Sequence, residues 1–222
     1  MSNSQLARKL DLAESSLSDL LYTMQDQGYL LRTPETREFY PTSRLSEIAN
    51  AIAANDPLSA FAEEAMDALT SACGETALCG VLEGQRIKIF ASRSGTHALR
   101  YVVPPGTFFD IHSTALGKAI LSAMPGPDRQ ALLGKLKLKQ VTPSTIQDRG
   151  TLEKEIEKCA RAKWCLAKDE GNKGVSAIGI AGKVGARIVS LSLVGPTHRF
   201  EENLKPLVKL ILGVRKKYFE DA

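Results

Sequence analysis

Residues 175–182 (VSAIGIAG) and 187–194 (RIVSLSLV) form two long apolar runs separated by four residues that include Gly185. Runs of this length joined by so short a turn read as two antiparallel strands, since a parallel pair needs a crossover of a dozen or more residues. The pattern upstream agrees. Strand-like runs at 76–82 and 86–92, with Gly84 between them, and at 99–103 ahead of Pro104-Pro105-Gly106, continue the antiparallel arrangement. Helical spacing marks 58–73, where Leu58, Phe61, Ala62, Ala65, Met66 and Leu69 share a stripe. It recurs at 114–123, from Pro125-Gly126-Pro127 through 136, over the strongly charged 148–163, and at 200–219. In that last helix Phe200, Leu204, Leu207, Ile211, Val214 and Tyr218 oppose a basic outer face. Helices flanking antiparallel strands make an α+β domain.

A chain of 222 residues, 43% hydrophobic and 24% charged, has material for one medium domain and one small one. No run approaches the roughly 18 to 20 apolar residues of a membrane helix, and residues 1–20 lack a charged-then-apolar export signal. A cytoplasmic protein is expected, with no membrane partner. Cys73, Cys79, Cys159 and Cys165 lack the two-residue gap of a zinc knuckle, so reduced buried thiols are expected and no metal. Catalytic signatures are missing too. Gly179-Ile180-Ala181-Gly182 lacks dinucleotide-binding spacing, there is no phosphate loop and no nucleophile elbow, and His97, His112 and His198 are scattered. Neither catalytic residues nor a cofactor are expected.

Residues 1–45 carry a different pattern. Leu6 and Leu10 share a face of a short helix at 4–10, and a second helix at 14–27 carries Leu17, Leu20, Leu21 and Met24, with Ser15 or Glu14 near its start as the cap and Gly28 as its stop. Two short strands, 29–32 and 38–41, follow around a turn containing Pro34. Helix, tight turn, helix and hairpin is the order of a winged helix-turn-helix, in which the second helix enters the major groove and the wing touches the backbone. Its solvent face offers Ser15, Ser16, Ser18, Asp19 and Thr23, and Arg37 at the wing tip suits a phosphate or the minor groove. The same pattern also fits two helices and a hairpin that only dimerise. Charge does not decide: the formal net is +4, but over residues 1–45 the five basic groups Arg8, Lys9, Arg32, Arg37 and Arg44 face six acidic ones, Asp11, Glu14, Asp19, Asp26, Glu35 and Glu38. Residues 46–57 read as a linker helix ending at Asn55-Asp56-Pro57. The expected organisation is a reader at 1–45, a linker at 46–57 and a sensor at 58–222.

PPGTFFDIHSTALGKAILSAMP (104–125) resembles the signature segment of the IclR family of bacterial regulators, which pair a winged helix with a GAF-like effector domain. The stretches 6–30, 83–106 and 188–200 resemble the family in the same order. The resemblance implies promoter DNA and a small-molecule effector as partners, homodimers or homotetramers, and dimer contacts through the linker and winged domains. It departs in two places. The family carries another helix ahead of 4–10, so a reader lacking its first helix is expected, with an N-terminally truncated sensor that binds DNA weakly or not at all as the alternative. Asp19 stands where relatives often carry a basic residue, and an acid facing phosphates repels them.

The helix starting near Thr114 presents free backbone N–H groups, which carry about half a positive charge and suit a carboxylate; capping by Ser113 is the competing use of that end. The resemblance implies ligand contact with the backbone at Ala115 and Leu116. It also implies that Ala167 replaces an Asp, Ala177 a Cys, and Val194 one of two serines, Ser192 being the other. Leu116, Val194 and Tyr101 are then expected to hold an apolar or aromatic body.

Overall fold

The computed structural model describes residues 1–55 and 57–219. The chain divides into two compact units, Met1–Ser59 and Ala60–Ala222, two residues later than the expected boundary. The division falls inside the helix α4 given below. The expected stop at Asn55-Asp56-Pro57 depends on Asp56, which lies outside the described residues, as do residues 220–222 of the expected sensor span.

In the first unit Ser2 caps α1 (Asn3–Leu10): its hydroxyl accepts from Gln5 N–H, and Gln5 Oε1 accepts from Ser2 N–H at 2.9 Å. This reciprocal box satisfies two donors that a helix start leaves open. α2 (Glu14–Asp26) starts from Ala13, so the cap expected from Ser15 or Glu14 is not made; Glu14 is a first-turn acid at the positive end of the helix dipole and accepts from Ser4 Oγ at 3.3 Å. Gly28, at φ 73, lets the chain leave the helix. β1 (Leu30–Arg32) and β2 (Phe39–Pro41) pair antiparallel with Leu31 opposite Tyr40. α3 (Ser43–Asn55) follows, starting three residues earlier than expected. The core of the unit is Ala7, Leu17, Leu21 and Phe39. Leu10 (55% exposed) and Leu20 (52%) fall outside it, against expectation. The covered faces are narrow: Ala7 and the i, i+4 pair Leu17 and Leu21 fill them, and their neighbours turn outward.

The second unit holds all but the first three residues of α4 (Pro57–Cys73), then β3 (Thr76–Glu83), β4 (Arg86–Arg93), β5 (Phe108–Asp110), α5 (Ala115–Ala123), α6 (Gly126–Lys135), α7 (Arg149–Ala162), β6 (Cys165–Lys168), β7 (Val175–Val184), β8 (Arg187–Pro196) and α8 (Thr197–Tyr218). The strands form one antiparallel sheet in the order β5-β4-β3-β8-β7-β6, so the apolar hairpin β7–β8 sits inside it, joined to β3 on one side and β6 on the other. Successive strand residues face opposite sides. Gly179 of β7 faces Ala115 of α5, whereas Gly182 faces Phe219 beyond α8, so helices cover both faces of the hairpin. That double cover is why these two strands read as unbroken apolar runs.

Two strand expectations need correction. Residues 99–103 are not a strand: Tyr101 C=O accepts from Thr76 Oγ1 at 2.6 Å and Leu99 C=O from Arg199 at 3.0 Å, so side chains take up carbonyls a ladder would use. The edge strand is β5 instead, with Arg86 opposite Asp110. β6 was not expected at all, four residues between a charged helix and a polar turn being too short to show alternation.

Candidate ligand-binding site

α5 packs on the sheet and is buried from Ala115 to Leu121. A Cβ on Gly179 would lie 2.7 Å from Ala115 O, so glycine there allows the first turn of α5 to rest on β7. The turn is capped by Thr114, not Ser113: Thr114 is extended (φ −126, ψ 149) and its hydroxyl accepts from Gly117 N–H at 3.1 Å. The first intrahelical bond runs from Lys118 N–H to Thr114 O. The N–H groups of Ala115 and Leu116 therefore remain without a partner among the described residues.

Those two residues border a cavity of about 270 Å³. The structure brings all seven expected pocket residues around it: Tyr101, Ala115, Leu116, Ala167, Ala177, Ser192 and Val194. Register explains the convergence. Ala167 of β6 stands opposite Ala177 of β7 and Ala177 opposite Val194 of β8, while Ser192 stands opposite Leu78 of β3 in the neighbouring row, so these side chains share the α5 face of four strands. They are apolar except for Ser192, which is 1% exposed.

Several lining groups were not anticipated. Arg86 pairs with Asp110 at 3.7 Å and donates to Phe108 O at 2.9 Å, and all three line the cavity. Asn172 donates to Tyr101 Oη at 2.7 Å, while burial pushes the Tyr101 phenol above its usual range. The turn carrying Asn172 is braced: Thr145 Oγ1 donates to Glu170 O at 2.7 Å, and Asp169 Oδ1 accepts from Gly174 N–H at 2.7 Å and Thr197 Oγ1 at 2.8 Å. Arg86 and Asp110 belong to a strand pairing that the sequence pattern placed elsewhere, and Asn172 to a turn with no periodic signal.

Beside the cavity, Lys118 is fully buried and its ammonium meets Glu170 Oε1 at 2.7 Å. Glu170 Oε2 has no hydrogen-bond partner among the described residues. Burial pushes the Glu170 carboxyl above its usual range and Lys118 partly counters it. A signal existed: the one charged residue in the run Ala115–Ala123 must find a partner once that helix is buried.

In the first unit, Ser15, Ser16, Asp19 and Arg37 are exposed. Ser18 is half-buried and its hydroxyl accepts from Asn3 Nδ2 at 2.6 Å, so it faces α1, not solvent as expected. Thr23 is exposed but donates to Asp19 O at 2.8 Å. Arg37 occupies the left-handed region (φ 53) at the hairpin tip, and Arg32 stacks on the rings of Tyr22 and Phe39.

Known proteins share this organisation. The chain is 26% identical over 201 residues to the HTH-type transcriptional regulator BhcR of Paracoccus denitrificans, covering 89% of this chain and 72% of that one. The fold matches the crystal structure of Thermotoga maritima IclR with a TM-score of 0.68 and 22% identity over 99% of this chain and 92% of that one. It also matches an IclR homolog from Microbacterium hydrocarbonoxydans complexed with 4-hydroxybenzoate, with a TM-score of 0.71 and 21% identity over 96% and 88% of the two chains. The family model described as bacterial transcriptional regulator IclR C-terminal matches residues 50–216, and the chain therefore belongs to the IclR family of bacterial transcriptional regulators.

Proposed function

We propose that this chain is a ligand-responsive regulator of transcription: residues 1–45 form a winged helix-turn-helix that reads promoter DNA, and the cavity beside α5 takes a small carboxylate with an apolar or aromatic body. The observation that carries the ligand class is the cavity's polarity. Two unpartnered N–H donors at a helix start provide an anion subsite at one end. On β6, β7 and β8 Ala167, Ala177 and Val194 leave Ser192 as the polar side chain lining the cavity, and of the other polar lining groups Arg86 is already paired with Asp110 and Asn172 with Tyr101. A second polar end on the ligand would be buried against alkyl groups, at roughly 1–3 kcal/mol per unpaired group. The cavity is near the small end for ligand sites, which suits a single ring. The family relative holding 4-hydroxybenzoate supports an aromatic acid within this fold. The protein acts as a cytoplasmic homodimer or homotetramer and carries no catalytic chemistry.

Calorimetric titration with benzoate and 4-hydroxybenzoate, against glyoxylate and pyruvate, tests the ligand class. Tighter binding of the aromatic acids is expected, and tight binding of glyoxylate or pyruvate overturns it. A second reading, a ligand sensor with little DNA affinity, is favoured by Asp19 standing exposed on α2. Titration of labelled DNA from upstream of the gene at two salt concentrations separates the two: sequence-preferring, salt-dependent binding supports the regulator, and affinity no better than for random DNA supports the sensor alone.

A further inference from the structure

α7 and β6 each bring one cysteine to the same place. Cys159 lies in the last turn of α7, the chain reverses at Lys163 in the left-handed region (φ 63), and Cys165 opens β6. Both thiols are free and buried in the same apolar cluster, close enough for each to perturb the other's titration. The pair is asymmetric in access. Cys159 lines a second cavity of about 320 Å³, which shares no lining residue with the first, and Cys165 does not line it. Lys163, Lys183 and Arg215 line this cavity, and among the described residues no acidic side chain does. The pair is asymmetric in reactivity as well. The neighbouring Cys165 thiol, aided by the Lys118 charge, holds the Cys159 thiol below its usual range, while burial pushes Cys165 well above it.

We propose that Cys159 and Cys165 form a hydroperoxide-sensitive dithiol, Cys159 being the sulfur attacked through the second cavity and Cys165 the one that resolves it. The Cys159 thiolate attacks one peroxide oxygen, the O–O bond breaks, and the departing oxygen takes a proton to leave as water or an alcohol. The resulting sulfenic acid is attacked by the Cys165 sulfur; the S–O bond breaks, water leaves carrying the Cys165 proton, and a disulfide remains. Two thiols are oxidised by two electrons and one hydroperoxide is reduced. The new bond would tie the end of α7 to β6 on the face that carries Ala167, two residues along the same strand. Oxidation thus reaches the wall of the first cavity whichever ligand that cavity takes.

The test uses the reduced full chain treated with limiting hydrogen peroxide, blocked with an alkylating reagent under denaturing conditions, and digested with trypsin. The expected product is the peptide 159–161 joined to 164–168, lighter by two hydrogens than its parts and restored by a thiol reductant. In Cys165→Ser, dimedone should label Cys159; in Cys159→Ser, Cys165 should stay reduced. The proposal fails if the folded wild-type chain keeps both thiols under peroxide that oxidises the urea-unfolded chain. It fails equally if Cys73 alone reacts. Because wild-type peptide mapping needs no variant, misfolding of either serine variant leaves the decision intact.

Discussion

A lysine and a glutamate buried together at 2.7 Å, with one carboxylate oxygen unsatisfied, form a strained electrostatic unit beside the ligand cavity. Removing one partner of a buried pair leaves an uncompensated charge and costs about 3–5 kcal/mol, whereas replacing both by apolar groups is often neutral or stabilising. Lys118→Met is therefore expected to lose stability in that range, and Lys118→Met with Glu170→Leu to regain most of it, as read by urea midpoints. The pH dependence follows from the same pair. Burial already raises Glu170 above its ordinary 4.5, and without Lys118 it rises further. A carboxyl raised in the folded state contributes stability that is full below its unfolded value and lost as pH rises through the folded one. The deficit of Lys118→Met should thus be small near pH 4 and grow toward neutrality; a deficit that widens on acidification would contradict the assignment. Single residues were the most legible level of the site. Tyr101, Ala115, Leu116, Ala167, Ala177, Ser192 and Val194 all reach one cavity, because family resemblance and strand alternation both fix which way such residues point. Glu170 was invisible, since a carboxylate in a polar turn announces nothing about a lysine fifty-two residues earlier.

At the scale of elements, the cavity depends on how α5 sits on β7. Gly179→Ala would drive a methyl group against the Ala115 carbonyl, and overpacking of this kind typically costs about 1–3 kcal/mol. The first turn of α5 has to lift, so the variant should melt lower and bind the proposed carboxylate more weakly, whereas Gly134→Ala, with helical backbone and open space around it, should leave that affinity unchanged. α7 offers a pH test. Asp148 caps it by accepting from Thr151 N–H at 2.7 Å and Thr151 Oγ1 at 2.8 Å, and the backbone bond, then the hydroxyl, holds the carboxylate below its ordinary 3.8. A lowered carboxyl contributes stability above its unfolded value and loses it as pH falls through the folded one. Asp148→Asn should therefore flatten the acid limb of the stability curve below pH 4, measured by thermal melts across pH. Helices and long strands were readable because each carries several turns or alternations of pattern. β5 and β6 were not, having three and four residues. The run 99–103 reads as a strand until Thr76 and Arg199, distant in sequence, claim its carbonyls.

For the whole molecule, the proposed DNA-reading segment, residues 1–45, has a net charge of −1 and must still hold a polyanion. Of its five cations, Arg32 is engaged on Tyr22 and Phe39, and Arg44 stacks on Tyr29 while donating to Gln27 O. Arg8, Lys9 and Arg37 are exposed and, among the described residues, stack on no ring, Arg8 being held only by a bond to Ser4 O at 3.3 Å within its own helix. Each phosphate neutralised contributes about −0.9 to the slope of log affinity against log salt. Three cations per reader predict a shallow slope, with base contacts from Ser15 and Ser16 supplying a large share of the discrimination. Arg37→Ala should weaken binding to specific and random DNA alike and reduce the slope by about one for each reader bound. Ser15→Ala with Ser16→Ala should instead erode the preference for the native site and leave the slope where it was. Asp19→Asn should strengthen both kinds of binding by removing a repulsive charge. Fluorescence titrations of all three variants at two salt concentrations decide the matter: if Arg37→Ala changes preference but not slope, the hairpin tip reads bases and the assignment of α2 as the reading helix is wrong.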